Sequence, residues 1–286
     1  MTAMTDTAAP LFTPTKAPVS RLLRSELRWI FRRPRTLILL GLLALYPIVF
    51  GIGTQLIDSP IRANGSQTIV AAVAGNALML PIIVLSTTMV FFLPLGTTIA
   101  ASDAIAGEAS NGTLRNLLLA PISRVRLLAI KAFGVAVVSL VATLMTALIA
   151  YVTGLVIAGT GSLVTVSGTT LPVGEGLWRV LIGTAWVVVQ MWAIGAVALA
   201  VSASTEHPLL VMASVIGGLF MFGLLSQIPA LDWLQPFLIT TSWESIVDVV
   251  RDPMPSGDLV IGLLRAVCYL VIGYSLALAR MVTKDG

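Results

Sequence analysis

Long apolar runs separated by short polar connections dominate the chain. A helix needs roughly 20 apolar residues to cross a hydrocarbon core about 30 Å thick. Six runs provide such a length, over residues 36–57, 76–101, 127–158, 178–202, 208–227 and 259–280. Hydrophobic residues make up 57% of the 286 residues and charged residues only 10%, against about 25% charged in soluble domains. The pattern predicts an all-α polytopic membrane protein with six transmembrane helices in a single domain over residues 36–280.

Two places in this pattern leave alternatives open. The fourth and fifth runs are separated only by the polar turn at residues 204–207, just before Pro208. If that turn does not divide two helices, the chain has five spans and its ends lie on opposite sides of the membrane. The second run contains Pro81 and Pro94, and a proline inside a helix favours a break or kink.

An amphipathic helix is predicted directly before the first run, over residues 21–35. At 100° per residue its polar side holds Arg21, Arg24, Ser25, Arg28 and Arg32, and its apolar side holds Leu23, Leu27, Ile30 and Phe31. Such a helix lies in the headgroup region with its arginines on anionic lipid, and Pro34 supplies the corner into the membrane. It is either a plain topology anchor or also a contact for a cytoplasmic partner. Residues 1–20 lack the apolar core of a signal peptide, and we expect a disordered leader.

Lysine and arginine are distributed unevenly between the connections, and cytoplasmic loops carry the excess of these residues. With six spans and a cytoplasmic N-terminus, thirteen of the 17 fall on the cytoplasmic side: Lys16, Arg21, Arg24, Arg28, Arg32, Arg33, Arg35, Arg115, Arg124, Arg126, Lys131, Arg280 and Lys284. We therefore expect a multi-pass protein of the plasma membrane with both termini, including the tail at 281–286, in the cytoplasm. This distribution also accounts for the net charge of +4, so no nucleic-acid partner is inferred.

The connection between the second and third runs, residues 102–126, contains a short amphipathic helix. Thr113 can cap it and Pro121 ends it, while Ser123 can cap the helix that follows. Its apolar face consists of three leucines at i, i+3 and i+4: Leu114, Leu117 and Leu118. Because so small a helix cannot bury this face by itself, it docks on the membrane surface, on the protein's own loops or on a partner.

This connection resembles the first cytoplasmic loop of type-2 ABC exporter permeases, which carries the coupling helix seated in a cleft of the ATP-hydrolysing subunit. The residues that carry the resemblance are Glu108, Gly112, Thr113, Leu114, Leu117, Leu118, Pro121, Ser123, Arg124 and Lys131. The basic amphipathic helix, the six spans and a long outer segment before the last span extend the resemblance over the chain. Arg115 departs from the pattern, because many members carry an acidic residue there.

The resemblance implies the permease subunit of an ATP-driven ABC transporter, an exporter whose path is formed by a dimer and driven by two separate ATPase subunits. The second permease copy is either the same chain or a relative. The residues implied in ATPase coupling are Gly107, Glu108, Gly112, Thr113, Leu114, Arg115, Leu117, Leu118 and Pro121. ATP and Mg are expected in the partner ATPase, and no cofactor is expected in this chain.

Residues 228–258 form a long outer segment before the last span, rich in Trp, Pro and acidic residues. In the family this place holds re-entrant helices that close the outer end of the path; the alternative is an ordinary amphipathic loop. An ion pair between Asp248 and Arg251 is expected from their i, i+3 spacing.

Candidate substrate-path residues lie in the fifth and sixth runs. They are Met212, Phe220, Met221, Phe222 and Arg265. Met and Phe make an adaptable apolar surface, and a charge within a span suggests function. For the four apolar residues, the alternative is ordinary helix packing. For Arg265, the alternative is that its long side chain snorkels to water or pairs with an acid of the outer segment. Asp103, at the inner end of the second run, is expected to end a helix in water rather than to carry protons.

Several enzyme and metal classes lack the residues they need. The sequence contains no GxxxxGK[ST], GxSxG or HExxH motif, and one Cys and one His leave no thiolate or multi-histidine metal site. We therefore expect a transport subunit rather than an enzyme. A stand-alone carrier driven by an ion gradient is the alternative function. It needs broken helices and polar residues near the midplane, of which only the proline breaks in the second run are present.

Overall fold

The computed structural model describes residues 19–56, 76–110 and 123–283. Almost all of the expected leader, and residues 57–75, 111–122 and 284–286, lie outside this part of the chain. The described residues are helical apart from one two-stranded hairpin and short connections, which confirms the prediction of an all-α polytopic membrane protein.

An amphipathic N-terminal helix precedes the spans. The N-terminal helix runs from Val19 to Phe31, and span 1 begins after a two-residue bend, at Pro34–Leu56. Spans 3 to 6 are single helices, Arg124–Ala158, Val173–Ser204, Pro208–Leu225 and Ser256–Thr283. Spans 3, 4 and 6 extend up to five residues beyond the predicted apolar runs, because the polar residues at their ends continue the helix, whereas span 5 ends at Leu225, two residues before the predicted end.

Span 2 consists of two helices, Met79–Val90 and Phe92–Ala104, bent by 53° at Phe91. Pro94 lies just beyond the bend and has no N–H to donate to the preceding turn, whereas Pro81 lies in the first turn, where none is needed. Asn76 donates to the Val164 carbonyl at one end of the bundle, over 3.3 Å. At the other end Asp103 contacts Arg33. The bent pair therefore crosses the bundle once, and the described residues contain six spans.

Contacts between the helix ends assign each element to one of two faces of the bundle. Arg124 donates to the Met281 carbonyl over 2.8 Å, and the Ser202 hydroxyl accepts from the Ala106 amide over 3.0 Å. Together with the ion pairs Arg33–Asp103 and Glu26–Lys131, these contacts gather the N-terminal helix, the short helix Ala106–Ser110 and the end of span 6 at one face, which we call the terminal face. The opposite face, called the hairpin face, carries strands β1 (Leu163–Val164) and β2 (Thr170–Leu171), which pair antiparallel.

Span 4 is the central helix of the bundle. Of its 18 most apolar consecutive residues 67% are buried, whereas only 11% of the corresponding residues of span 5 are buried. Span 5 therefore lies at the periphery of the single chain. Trp186 and Gln190 of span 4 donate to the Leu259 and Gly262 carbonyls of span 6, over 2.9 and 3.0 Å. Farther along, Gly273 of span 6 lies directly against the backbone of span 4, where a Cβ would come within 2.7 Å of a carbonyl carbon. Together these contacts hold span 6 on span 4.

The outer segment forms two 3₁₀ helices, Pro229–Phe237 and Ile239–Val250, on the hairpin face. The predicted Asp248–Arg251 ion pair is confirmed at 3.0 Å. Among the described residues no acid pairs with Arg265; it donates to the Leu238 carbonyl and to the Thr241 and Ser242 hydroxyls, over 2.6 to 2.8 Å. The Arg265 side chain is thus held by neutral oxygens of the outer segment.

Candidate functional site

Three charged side chains meet in the interior of the terminal face, and we call them the ion cluster: Glu26, Glu108 and Lys131. Lys131 Nζ lies 2.9 and 3.1 Å from the two carboxylate oxygens of Glu26 and 2.5 Å from Glu108 Oε1. Glu26 belongs to the N-terminal helix, Glu108 to the short helix and Lys131 to span 3. One ammonium group therefore joins three elements that are distant in sequence.

Local sequence explains how the three side chains reach each other. Glu26 is the only acid of the N-terminal helix and lies on its inner side. Gly134, one turn beyond Lys131, lets that helix approach span 3 closely, since a Cβ there would lie 2.7 Å from Ile30 Cδ1 and 3.3 Å from Glu26 Cγ. The short helix follows span 2 directly and turns Glu108 inward.

Burial dominates the electrostatics of the ion cluster. The side chains of Lys131 and Glu108 are 4% and 8% exposed, and that of Glu26 is 12% exposed. Burial raises the pKa of Glu108 above its ordinary value, while the Lys131 charge and its hydrogen bond act in the opposite direction. Two carboxylates share one ammonium group, so removing the cation would leave two like charges in a desolvated site.

A second ion pair lies at the bend that follows the N-terminal helix. Arg33 Nη1 lies 2.7 Å from Asp103 Oδ2, at the end of span 2, and its guanidinium stacks 3.3 Å from the centroid of the Trp29 ring. The Asp103 side chain is only 13% exposed. The expectation that Asp103 faces water is therefore wrong, because Arg33 covers it.

The structure describes two of the predicted coupling residues. Gly107 and Glu108 are both buried in the short helix, and the remaining seven, Gly112, Thr113, Leu114, Arg115, Leu117, Leu118 and Pro121, lie outside the described residues. Ser123 caps span 3 as expected, accepting from the Arg126 amide over 3.3 Å. The described chain therefore stops at Ser110, two residues after Glu108, and resumes at Ser123, eight residues before Lys131.

A family model described as ABC-2 family transporter protein matches residues 21–251. The match spans most of the chain, including the N-terminal helix and five of the six spans. This chain belongs to the ABC-2 family of transporter proteins. A comparison with curated proteins gives no match.

Membership of the ABC-2 family confirms the resemblance read from the sequence. The chain is a multi-pass membrane component of an ABC transporter, a permease rather than the ATP-hydrolysing subunit, and its family works with ABC ATPase partners. The described residues contain no group of three or more His, Cys, Asp or Glu side chains placed to hold a metal ion.

The substrate-path candidates of this ABC-2 permease do not converge on one cavity. Phe220 and Met221 are 55% and 54% exposed on span 5, and the Phe220 ring lies 6.0 Å from that of Phe91. Phe222 turns the other way and lines a small apolar groove with Tyr269. Met212, nearer the start of span 5, is half-buried. These positions stay predictions.

Arg265 lines a separate polar cleft of about 650 Å³ on the hairpin face. Four acids lie around the cleft, Asp232, Glu244, Asp248 and Asp258. Nearby, buried Arg179 binds Glu175 and Asp252, each at 3.1 Å, and the Arg251 carbonyl. The arginines on this face therefore fasten the outer segment to spans 4 and 6.

Sequence reasoning missed Glu26 and did not foresee the ion cluster. A usable signal was present, since Lys131 is the only charge in the third apolar run and Glu26 the only acid in the amphipathic helix. A lysine inside an apolar run needs a partner charge, but three-way pairing across distant elements depends on the fold.

Proposed function

We propose that this chain is the permease subunit of an ATP-driven exporter, in which two permease copies form the path and two separate ATPase subunits drive it. The family match over residues 21–251 carries the proposal. It is supported by the arrangement at the terminal face, where the described helices before and after residues 111–122 hold Glu108 and Lys131 of the buried ion cluster. The terminal face would then be cytoplasmic, as the lysine and arginine distribution favours.

In this proposal residues 111–122 hold the coupling helix. The segment is bounded by Ser110 of the short helix and by Ser123 at the cap of span 3. Glu108 precedes this segment in the chain and Lys131 follows it, and the two side chains are paired in the ion cluster. A displacement of the segment by the ATPase would therefore move span 3 and the N-terminal helix together. ATP-driven approach of the two ATPases would bias inward-open against outward-open packing through these contacts.

Span 5 supplies the surface proposed for contact between permease copies. Only Val211 and Val215 of this span are buried in the single chain. A Cβ added at Gly217, Gly218 or Gly223 would meet nothing within 4 Å, so a second helix can approach closely there. A homodimer and a heterodimer with a relative both fit this surface.

Co-purification tests the proposal. The tagged full chain is extracted from native membranes in mild detergent, and soluble proteins that hydrolyse ATP are quantified. We expect one ATPase copy for each permease copy. Purification of the chain without any ATPase, together with solute movement that a protonophore abolishes and ATP depletion does not, would replace the proposal with the ion-gradient carrier.

A further inference from the structure

The outer side of the N-terminal helix carries a row of four exposed arginines, Arg21, Arg24, Arg28 and Arg32. None of the four forms an ion pair with a carboxylate in the part of the chain that the structure describes. They border a shallow groove of about 470 Å³ together with Ser25 and Trp29, a residue that is 38% exposed. Within the described residues, the row is therefore a positively charged surface whose arginines pair with no carboxylate, and the indole ring of Trp29 lies beside it.

Packing fixes the direction in which this row faces. Ile30 on the opposite side is 7% exposed and lies so close to Gly134 that a Cβ there would be 2.7 Å from its Cδ1. Glu26, on the same inner side, is held by Lys131. Rotation of the helix would expose Ile30 and break a buried ion pair, so the arginines stay on the outer surface.

The row also lies directly before the start of span 1. The Arg33 amide donates to the Ile30 carbonyl over 3.2 Å, and the Leu37 amide of span 1 donates to the Arg33 carbonyl over 3.2 Å. The N-terminal helix therefore joins span 1 through one tight bend. Phosphate groups of lipids in the adjoining leaflet lie where span 1 emerges, and their charge is complementary to the row.

On its inner side the helix is connected to the segment that leads into residues 111–122. Lys131 binds Glu26 of the N-terminal helix and Glu108 of the short helix at once. The short helix is held further by the bond from the Ala106 amide to the Ser202 hydroxyl. A displacement of the N-terminal helix consequently acts on Glu108 through a single ammonium group.

We propose that the N-terminal helix senses anionic phospholipid: headgroups bind its arginine row, and the ion cluster passes the resulting position of the helix to Ala106–Ser110. This inference extends the proposed coupling role of residues 111–122, but it needs no ATPase and is tested on the permease alone. The lipid thereby becomes a ligand that sets the geometry of the segment next to the proposed coupling helix.

Native mass spectrometry of the full chain, titrated with phosphatidylglycerol or phosphatidylcholine in detergent, tests the binding step. An arginine at an anionic surface contributes about a fivefold change in binding. We therefore expect Arg24→Gln/Arg28→Gln to weaken phosphatidylglycerol binding on the order of twentyfold. The matched control Arg35→Gln/Arg280→Gln removes the same charge from exposed positions at the same face but outside the row, and it should weaken binding much less.

Hydrogen exchange in nanodiscs tests the transmission step. Adding phosphatidylglycerol to phosphatidylcholine discs should slow amide exchange in both the N-terminal helix and residues 106–110 of the wild type. Glu108→Leu removes the contact with Lys131 while Glu26 still balances the lysine, so only the N-terminal helix should respond. Glu108→Gln keeps a hydrogen-bonding group and should preserve the response at residues 106–110.

Three outcomes overturn the proposal. Equal loss of phosphatidylglycerol binding in both arginine pairs would show a response to net charge rather than to the row. A lipid response in the wild type confined to the N-terminal helix would remove the transmission step. Unchanged lipid preference in Arg24→Gln/Arg28→Gln, with loss of a co-purifying ATPase, would assign the row to a protein partner.

Discussion

Glu26 and Lys131 lie 105 residues apart in the chain and 2.9 Å apart at their charged atoms. Their contact joins the N-terminal helix to span 3 in an interior that also holds Glu108. A buried ion pair contributes little compared with apolar packing, but breaking one side of it costs about 3–5 kcal/mol. The three charges are therefore expected to behave as a unit.

Lys131→Met should strongly destabilise the fold, by about 3–5 kcal/mol, because two carboxylates then lose their shared cation. The triple variant Glu26→Gln/Glu108→Gln/Lys131→Met removes every charge and should recover most of that loss. Resistance to heating, followed by the folded fraction on size-exclusion chromatography in detergent, measures both. A triple variant as unstable as the single one would contradict the role assigned to the charges.

Glu108 gives the stability a specific dependence on pH. Its pKa is raised by burial from an ordinary value of 4.5, so the folded state binds a proton more tightly than the unfolded state. The contribution of Glu108 to the free energy of unfolding therefore falls as pH rises from the ordinary pKa of a glutamate to the raised pKa of Glu108. Lys131, Glu26 and Arg33 also act on this carboxyl and remain present in the Glu108→Gln variant.

The wild type should therefore gain stability relative to Glu108→Gln as pH is lowered through this window. The measurement is the difference in thermal midpoint between the two proteins as a function of pH, in which the shared groups cancel to first order. A difference that stays constant with pH would exclude a raised pKa at Glu108.

Gly273 should not tolerate a methyl group. A Cβ there would lie 2.7 and 2.8 Å from backbone atoms of Ala196 and Val197, which cannot move aside as a side chain end can. Overpacking of this kind costs about 1–3 kcal/mol. Gly273→Ala should lower the thermal midpoint, whereas Gly41→Ala, with nothing within 4 Å, should leave it unchanged or raise it. Equal behaviour of the two variants would contradict the close packing of spans 4 and 6.

The apolar pattern predicted the six candidate spans and the turn before span 5, because the thickness of the bilayer sets the length of each apolar helix. It did not predict where helices end, since polar interface residues continue them. Arg179 shows a second limit. It lies at the start of the fourth apolar run, is only 7% exposed and binds Asp252, 73 residues away. Pairing at such separations follows from packing, which periodicity does not specify.

Span 5 should carry the contact between permease copies. Gly217→Leu/Gly218→Leu adds bulk where the single chain has open space, so it should shift the protein from dimer to monomer without lowering its thermal midpoint. Mass photometry in mild detergent reads the oligomeric state. The control Gly41→Leu/Gly53→Leu adds the same side chains to span 1 at equally open positions and should leave the dimer intact. Loss of dimer in the control alone would move the interface to span 1.

Residues 111–122 provide the most direct test of coupling. Leu114 and Leu118 are four residues apart in the sequence, and Leu114→Asp/Leu118→Asp would charge the predicted apolar face, which is proposed to dock on the ATPase. We expect loss of ATPase co-purification with unchanged membrane insertion, because neither residue belongs to a span. The conservative pair Leu114→Met/Leu118→Met should keep binding, since it preserves apolar volume. An ATPase retained at one copy per permease by the aspartate pair would show that the partner docks elsewhere on the terminal face.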